Sequence, residues 1–531
     1  MTELLTAAGM RALEGAAIES GRVSGLELME RAGRGVVEAA LEKWPALATA
    51  PHRAVVLCGP GNNGGDGFVV ARLLKERGWE VEVLLYGDEA KLPPDAAANA
   101  RRWREIGGDV APYADECFRP SPEGRRSGCL IVDALFGTGL TRPVEGVAEL
   151  RRATQRRGAV RGGSVTAAPA SRQAPVVAVD VPSGLCADSG KHLRPDAGER
   201  GEPMRADLTV TFHRRKLGHV LAEGPRACGE VRVVDIGLGK PRVRGVAREV
   251  RGPLQDLAKA GARHKYDHGH ALVLAGGPGT GGAGRLAARG ALRVGAGAVT
   301  VGVPPAAIPE NAARLDAIML RPVEDLGAFL EGPGAKMNAV CLGPGHGGGA
   351  PTRAAVAAAC GSGRAVVLDA DALTSFEDEP GALFALLHER CVITPHLGEF
   401  GRVFPDLHAR LAEPAERGPA FSKVDAAREA AARAGAVVLL KGADTVIAHP
   451  DGRASVSAAV YERAAPWLAT AGAGDVLAGF VAGLLARGFA PVRAAGTAAW
   501  LHVECARRFG PGLIAEDLPE QVPGVFRQLG L

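Results

Sequence analysis

With 531 residues, 47% hydrophobic and 23% charged, the chain is too long for a single core and has the composition of a soluble protein of two or more domains. Its 63 Lys and Arg against 59 Asp and Glu leave a net charge of only +4, so neither a nucleic-acid partner nor a membrane partner is expected. Nine scattered cysteines without a C-x-x-C pair suggest reduced thiols, residues 1–17 lack the basic start of a secretory leader, and no apolar run reaches the ~18–20 residues of a membrane span, so a cytoplasmic location is expected.

Residues 1–45 read as helices, with Leu26, Leu28, Met29 and Ala32 as an apolar stripe that packs on a sheet. A strand at 54–58, a turn at 59–67, a helix at 67–77 and a strand at 81–85 imply a parallel sheet with a right-handed crossover. The turn carries the glycine spacing of a dinucleotide loop at Gly59, Gly61 and Gly64. Its other residues do not suit that task. A pyrophosphate cradle needs bare N–H groups, whereas Asn62, Asn63 and Asp66 bring side-chain oxygens, and Asp66 repels phosphate.

Strands at 129–133 and 175–180 end at Asp133 and at Asp180 with Ser183; strands at 208–212 and 231–236 close a first domain. Open α/β sheets bind ligands at such carboxyl ends. A converging amide, carboxylate and hydroxyl suit a hard cation, although each is also a common turn former. Arginine-rich stretches at 151–173 and 190–205 read as solvated insertions, and 241–252 as a linker.

A second series of strands at 271–275, 298–303, 339–342, 365–368, 391–393 and 437–440 alternates with helices such as 285–295 and 423–434. Near its end, Gly472-Ala473-Gly474-Asp475 precedes an apolar helix at 476–486. Glycine N–H groups at a helix start suit a transferring phosphoryl group, and Asp475 can accept a hydroxyl proton. Asp is also an ordinary helix-start residue.

The segments LMERAG, GNNGGDG, DALFGTGL, DVPSGL and TFHRRKLG, in this order, resemble the epimerase domain of bifunctional NAD(P)H-hydrate repair enzymes. GPGHGG, TPHLGE, LKGADT and GAGD resemble the ADP/ATP-dependent dehydratase half of the same family. The resemblance covers nearly the whole chain. It implies an α/β fold: a Rossmann-like three-layer sandwich at 1–240, a linker at 241–252, and a ribokinase-like three-layer domain at 253–531. It implies potassium at Asn63, Asp133 and Ser183. The hydrated nicotinamide nucleotide then lies against Asn62, Asn63, Gly64, Gly65, Asp66, Gly137, Thr138, Gly139, Leu140, Thr141, Arg142, Pro143 and Asp180. In the second half the hydrate meets Ala283, Gly345, His396 and Asp475, and an AMP moiety meets Lys441, Gly442, Ala443, Asp444, Thr445 and Gly474.

Inverting a hydroxyl-bearing carbon beside the ring nitrogen needs a positioned acid and base. Asp180 is the expected base and Lys216 its acidic or electrostatic counterpart, although Lys216 also reads as one more charge in the run 213–216. In the second half the implied chemistry is phosphorylation of the S hydrate by a nucleotide, expected to be ADP, with Asp475 as base and Mg²⁺ on the nucleotide phosphates. Loss of phosphate then restores NAD(P)H. A homo-oligomer is expected.

The chain departs from the family pattern at Ala473, where Thr or Ser is usual, at His346, where the family often has an apolar residue, and in the loop 276–283, which lacks a Ser and an aromatic. Two other functions compete. One is a dehydrogenase that uses 59–64 with Glu82 on the ribose. The other is a ribokinase-like small-molecule kinase fused to a nucleotide-binding sensor domain.

Overall fold

A computed structural model describes residues 2–118, 129–155, 174–194, 204–239, 246–259 and 264–531. Most of the two arginine-rich stretches (156–173 and 195–203) and residues 241–245 of the expected linker lie outside the described residues. The chain divides into two compact units, one comprising 3–246 and 413–422, the other built from 247–412 and 423–531.

In the first unit the strands run, across the sheet, Val110–Pro112, Glu80–Leu85, Arg53–Cys58, Leu130–Ala134, Val176–Val179, Leu208–Phe212 and Glu230–Val234, all parallel. Side chains alternate across each strand, so Val56 and Cys58 enter one apolar layer with Phe68 and Trp103, while Val55 and Leu57 enter another with Ile131 and Leu150. Burial on both faces explains the continuous apolar runs. Strand order reverses between Arg53–Cys58 and Leu130–Ala134, and their carboxyl ends carry the Asn62–Asp66 segment and Asp133.

The turn expected at 59–67 is largely helix. Helix Asn62–Glu76 begins at its first Asn, so the helix expected from residue 67 starts earlier. The glycines allow this close approach. A Cβ on Gly59 would overlap the Leu135 carbonyl, and one on Gly64 would overlap the Gly59 carbonyl. They bring a helix against a strand end instead of baring N–H groups for a pyrophosphate. Glu82 sits inside strand Glu80–Leu85, paired with Val55 and short of the strand's carboxyl end.

Residues 413–422 belong to the first unit although their sequence neighbours belong to the second. Arg194 N donates to Ala415 O at 2.8 Å, and Gly418 N donates to Thr141 O at 3.0 Å. This short segment therefore backs the loop that carries Thr141.

The second unit's sheet runs Ala247–Glu249, Ala454–Ala458, Asp444–Ala448, Val437–Leu440, Cys391–Ile393, Ala365–Leu368, Ala339–Leu342, His270–Leu274, Ala298–Val303 and Met319–Pro322. Strands from 270 to 440 are parallel; the 437–440, 444–448 and 454–458 strands form an antiparallel meander that alternation alone did not reveal. Residues 247–249, expected in a linker, pair with the 454–458 strand. Helices Gly281–Arg293 and Ala473–Ala486 pack on one another over a core of Ala287, Ala291, Val476 and Phe480. Both start earlier than the apolar periodicity indicates, because glycines and alanines carry little periodic signal. No helix among the described residues is long and apolar enough to cross a membrane. The described cysteines are free and buried.

Candidate active sites

The first site forms where strand Val176–Val179 ends. Asp180, at φ 68°, is held in the left-handed region that non-glycine residues seldom adopt, and its N donates to Val210 O at 2.8 Å. This aims the carboxylate at the switch point. Lys216, fully buried, donates to Asp180 Oδ1 at 2.7 Å, to Thr211 Oγ1 at 2.8 Å and to the Phe212 carbonyl at 3.1 Å. An ammonium has three hydrogens, and these three acceptors take them all. Thr211 Oγ1 also donates to Asp180 Oδ1 (2.9 Å), and Thr138 N donates to Oδ2 (3.2 Å). Burial works against the Asp180 charge, but Lys216 and these hydrogen bonds outweigh it and hold the carboxyl below its ordinary range.

His219 completes the support. Its Nδ1 accepts from Lys216 N at 2.9 Å, so Nε2 carries the proton and donates to Asp180 O at 2.9 Å. Burial and Lys216 push its pKa down to about 4, so the ring is neutral. Neither His219 nor Thr211 stood out in the sequence, although both lie inside the TFHRRKLG segment or beside it.

Asp133 and Ser183 meet directly. Ser183 Oγ donates to Asp133 Oδ1 at 2.6 Å and Ser183 N to Oδ2 at 2.8 Å. Burial pushes Asp133 up to about 6 against these hydrogen bonds. Asn63 Nδ2 is buried without a hydrogen-bond partner, and a Cβ at Gly137 would come within 2.6 Å of Asn63 Oδ1 and 3.3 Å of Asp180 Oδ2. Gly137 thus keeps open the space between the Asn63 amide and the Asp180 carboxylate. Other expected contacts divide. Asn62, Gly139, Thr141 and Arg142 are exposed, and Asp66, Thr138 and Pro143 are half-buried. Gly64, Gly65 and Leu140 are buried; a Cβ on Gly65 would overlap Met29, and Leu140 joins an apolar cluster. These last support the site by packing.

The second site also lies at a reversal of strand order, between His270–Leu274 and Ala339–Leu342. The following loops touch: a Cβ on Gly345, at φ 63°, would lie 2.6 Å from Thr280 O and 3.3 Å from Ala283 Cβ. Both expected hydrate contacts therefore sit side by side. His346, the departure in this loop, bonds Thr352 Oγ1 through Nδ1 at 2.9 Å.

Asp475 occupies the first turn of helix Ala473–Ala486, after Gly472 in the left-handed conformation at φ 84°. Burial and the neighbouring charges of Asp369, Glu399 and Asp371 push its carboxyl up to about 6, against the pull of Lys441. Lys441 Nζ donates to Asp369 Oδ1 at 2.7 Å and lies 3.6 Å from Glu399 Oε2. A Cβ on Gly474 would sit 3.4 Å from the same Nζ. Asp369, Asp371 and Glu399 were not singled out in the sequence, yet Asp369 directly follows strand Ala365–Leu368 and obeys the strand-end rule that found Asp133.

His396 caps helix Leu397–Val403. Its Nδ1 accepts from Gly398 N at 2.9 Å and Glu399 N at 3.2 Å, and its Nε2 lies 3.4 Å from Glu399 Oε1. It thereby joins the Lys441 cluster through Glu399. The expected AMP segment forms a tight turn between two strands. Gly442 N donates to Thr445 Oγ1 at 3.2 Å, Thr445 Oγ1 donates to Gly442 O at 2.7 Å, and Lys423 Nζ bonds Asp444 Oδ1 at 2.6 Å. Gly442 and Ala443 are exposed at its tip.

Residues 25–218 match the family model described as YjeF-related protein N-terminus, and 271–520 match that of NAD(P)H-hydrate dehydratase. A bifunctional NAD(P)H-hydrate repair enzyme of Salinibacter ruber is 34% identical, over 98% of this chain and 96% of its own. An NAD(P)H-hydrate epimerase of Rhodobacter capsulatus is 52% identical over 42% of this chain and 95% of its own. A solved ADP/ATP-dependent NAD(P)H-hydrate dehydratase of Bacillus subtilis, co-crystallised with ATP and Mg²⁺, is 27% identical over 52% of this chain and 94% of that chain, at a TM-score of 0.41. The chain belongs to the family of bifunctional NAD(P)H-hydrate repair enzymes, its first unit of the epimerase kind and its second of the dehydratase kind.

Proposed function

We propose that the first unit exchanges the R and S epimers of hydrated NADH and NADPH, and that the second consumes ADP to return the S hydrate to NAD(P)H, releasing AMP and phosphate. The contrast between two aspartates carries this reading. Asp180 is kept ionised by the buried Lys216, whereas Asp475 is pushed up to about 6 by burial and by Asp369, Glu399 and Asp371 against the pull of Lys441, so each unit holds a base tuned by its surroundings.

In the first unit Asp180 serves as the base, accepting the proton released as the hydroxyl-bearing centre changes configuration. Lys216, with every hydrogen engaged, serves as its electrostatic counterpart and positions it. The hydrate rests against 62–66 and 137–143, with Gly64, Gly65 and Leu140 packed behind the contacting residues. Potassium suits the Asn63, Asp133 and Ser183 set, because the three offer an amide, a carboxylate and a hydroxyl oxygen, and the hydrogen bonds to the buried Asp133 carboxylate among the described residues come from Ser183 and the Leu135 N–H, none of them cationic. A bound potassium ion would supply the counter-charge that Asp133 lacks.

In the second unit Asp475 deprotonates the hydrate hydroxyl, and the amides around Gly472 and Gly474 stabilise charge on the transferring phosphoryl group. Lys441, Gly442, Ala443, Asp444, Thr445 and Gly474 receive the AMP moiety. Ala283, Gly345 and His396 border the hydrate. Among the described residues no cluster of His, Cys, Asp or Glu forms a metal cage. Mg²⁺ would bind through the nucleotide phosphates, with one or two carboxylates, and would neutralise the phosphates.

A mixture of both hydrate epimers with ADP tests the whole scheme. NADH absorbance should recover completely; a plateau at the share of one epimer would remove the exchange activity, and no recovery would remove the nucleotide-dependent dehydration. The nucleotide-dependent rate has a sign with pH. Because Asp475 must be ionised to act as a base, the rate should rise with pH through about 6 and level off above it. Initial rates on the pure S epimer between about pH 5 and 8 check this; a rate falling through that range would exclude Asp475 as the base.

A further inference from the structure

With Lys216 fully engaged, the exchange still needs a proton donor. Helix Ala7–Glu19 points to one. Its buried residues Ala7, Met10 and Ala17 lie on a single face, and Glu14, four residues after Met10 and three before Ala17, shares that face. A carboxyl therefore occupies a position where the helix otherwise presents apolar side chains.

The start of this helix is fastened to both segments that form the base. Ala7 N donates to Asp188 Oδ1 at 2.6 Å, and Ala7 packs with Val181 and Ala187 in the turn after Asp180. Leu5 N donates to Arg215 O at 3.0 Å, and Leu217 N donates to Leu5 O at 2.9 Å, on either side of Lys216. Two turns on from Ala7, Glu14 interacts electrostatically with Asp180, Lys216 and Asp66 across the site, and with Arg11 on its own helix. No hydrogen bond or ion pair among the described residues engages its carboxyl, which leaves it available to a ligand.

We propose that Glu14 is the catalytic acid of the epimerase site, delivering a proton to the hydrate hydroxyl on one face of the ring while Asp180 receives one on the other. This rests on the exchange activity proposed above. Burial and the Asp180 charge push the Glu14 carboxyl up to about 7, against Lys216 and Arg11. It therefore holds a proton over much of the range in which Asp180 is ionised, and two carboxyls driven apart in this way mark an acid and a base. Asp66 is pushed up as well, by burial and by Asp180 and Glu14, so the carboxyls around Lys216 are not all charged together.

The step balances. Glu14 gives its proton to the hydroxyl, the C–O bond breaks with its electron pair leaving on water, and the ring-nitrogen lone pair forms a C=N bond. Water then adds to the opposite face, the C=N pair returns to nitrogen, and the proton shed by the new hydroxyl passes to Asp180. Glu14 ends ionised and Asp180 protonated; proton exchange with solvent, or the reverse reaction, restores both.

The test compares the full-length chain with Glu14→Gln and Glu14→Asp, following epimer interconversion by NMR without nucleotide, across pH, with thermal unfolding of each. Wild-type exchange should fall as pH rises through about 7. Glu14→Gln should exchange at least ~10²-fold more slowly and lack that alkaline fall. Glu14→Asp should recover part of the rate together with the fall. Wild-type rates in Glu14→Gln, or an alkaline limb that survives the change, would overturn the assignment. If Glu14→Gln does not fold, Glu14→Asp decides, since wild-type rates there at every pH would equally remove Glu14. A wild-type chain that exchanges nothing would instead sink the epimerase activity itself.

Discussion

Asp180→Asn is expected to lower epimer exchange by about 10²–10⁴-fold, because it removes the base and leaves the rest of the pocket in place. It also carries a structural cost. Lys216 is fully buried, and its strongest acceptor is that carboxylate, at 2.7 Å. Leaving one member of a buried ion pair uncompensated typically costs about 3–5 kcal/mol. The double variant Asp180→Asn/Lys216→Met should recover much of this stability and none of the activity. Measuring exchange and thermal unfolding on both variants separates the roles. Exchange at the wild-type rate in either would remove Asp180 from catalysis, and a single variant as stable as wild type would show that the pair is not structurally important.

Asp475→Asn should abolish nucleotide-dependent NAD(P)H recovery by a similar factor of about 10²–10⁴ and leave epimer exchange untouched. Here the stability effect has the opposite sign. The Asp475 carboxyl is pushed up, to about 6, by burial and by Asp369, Glu399 and Asp371. A carboxyl whose folded pKa lies above its unfolded value makes the native state lose stability as pH rises from about 4 to about 6. Removing that charge should leave Tm at pH 7 unchanged or raised, the usual pattern for a residue held against its preference for the sake of chemistry. A calorimetric scan of the full-length variant beside both activity assays checks this. Loss of both activities would argue against separate sites, and a lowered Tm would argue against the electrostatic account of Asp475.

The two sites were legible to different depths. Asp133, Asp180, Ser183 and Asp475 stood out because each lies at or just past the end of an apolar strand or begins an apolar helix, and the spacing of such runs is a local property. The glycines at 59, 61 and 64 were legible as the spacing of a dinucleotide loop; only the overlap of a Cβ with the Leu135 and Gly59 carbonyls reveals that Gly59 and Gly64 seat a helix on a strand end. Asp369 obeyed the same strand-end logic as Asp133, but nothing near it in the chain marked the lysine it would meet.

Taken alone, the order of elements and motifs determined the α/β class, the two sheets, the family and the residue types offered at the strand ends, since all of these follow from alternation, turn chemistry and short motifs. The tertiary structure decided which of those residues meet. Asp180 finds Lys216 thirty-six positions away, and Lys441 finds Asp369 seventy-two positions away. The helix that carries Glu14 is fastened to the turn after Asp180 and to the residues around Lys216. Residues 413–422 leave the unit of their sequence neighbours to back the loop at Thr141. The reason is physical. Helical and strand periods encode which face of an element is apolar, while the partner of a buried charge is set by how strands cross over, and that crossing exists only once the sheets have formed.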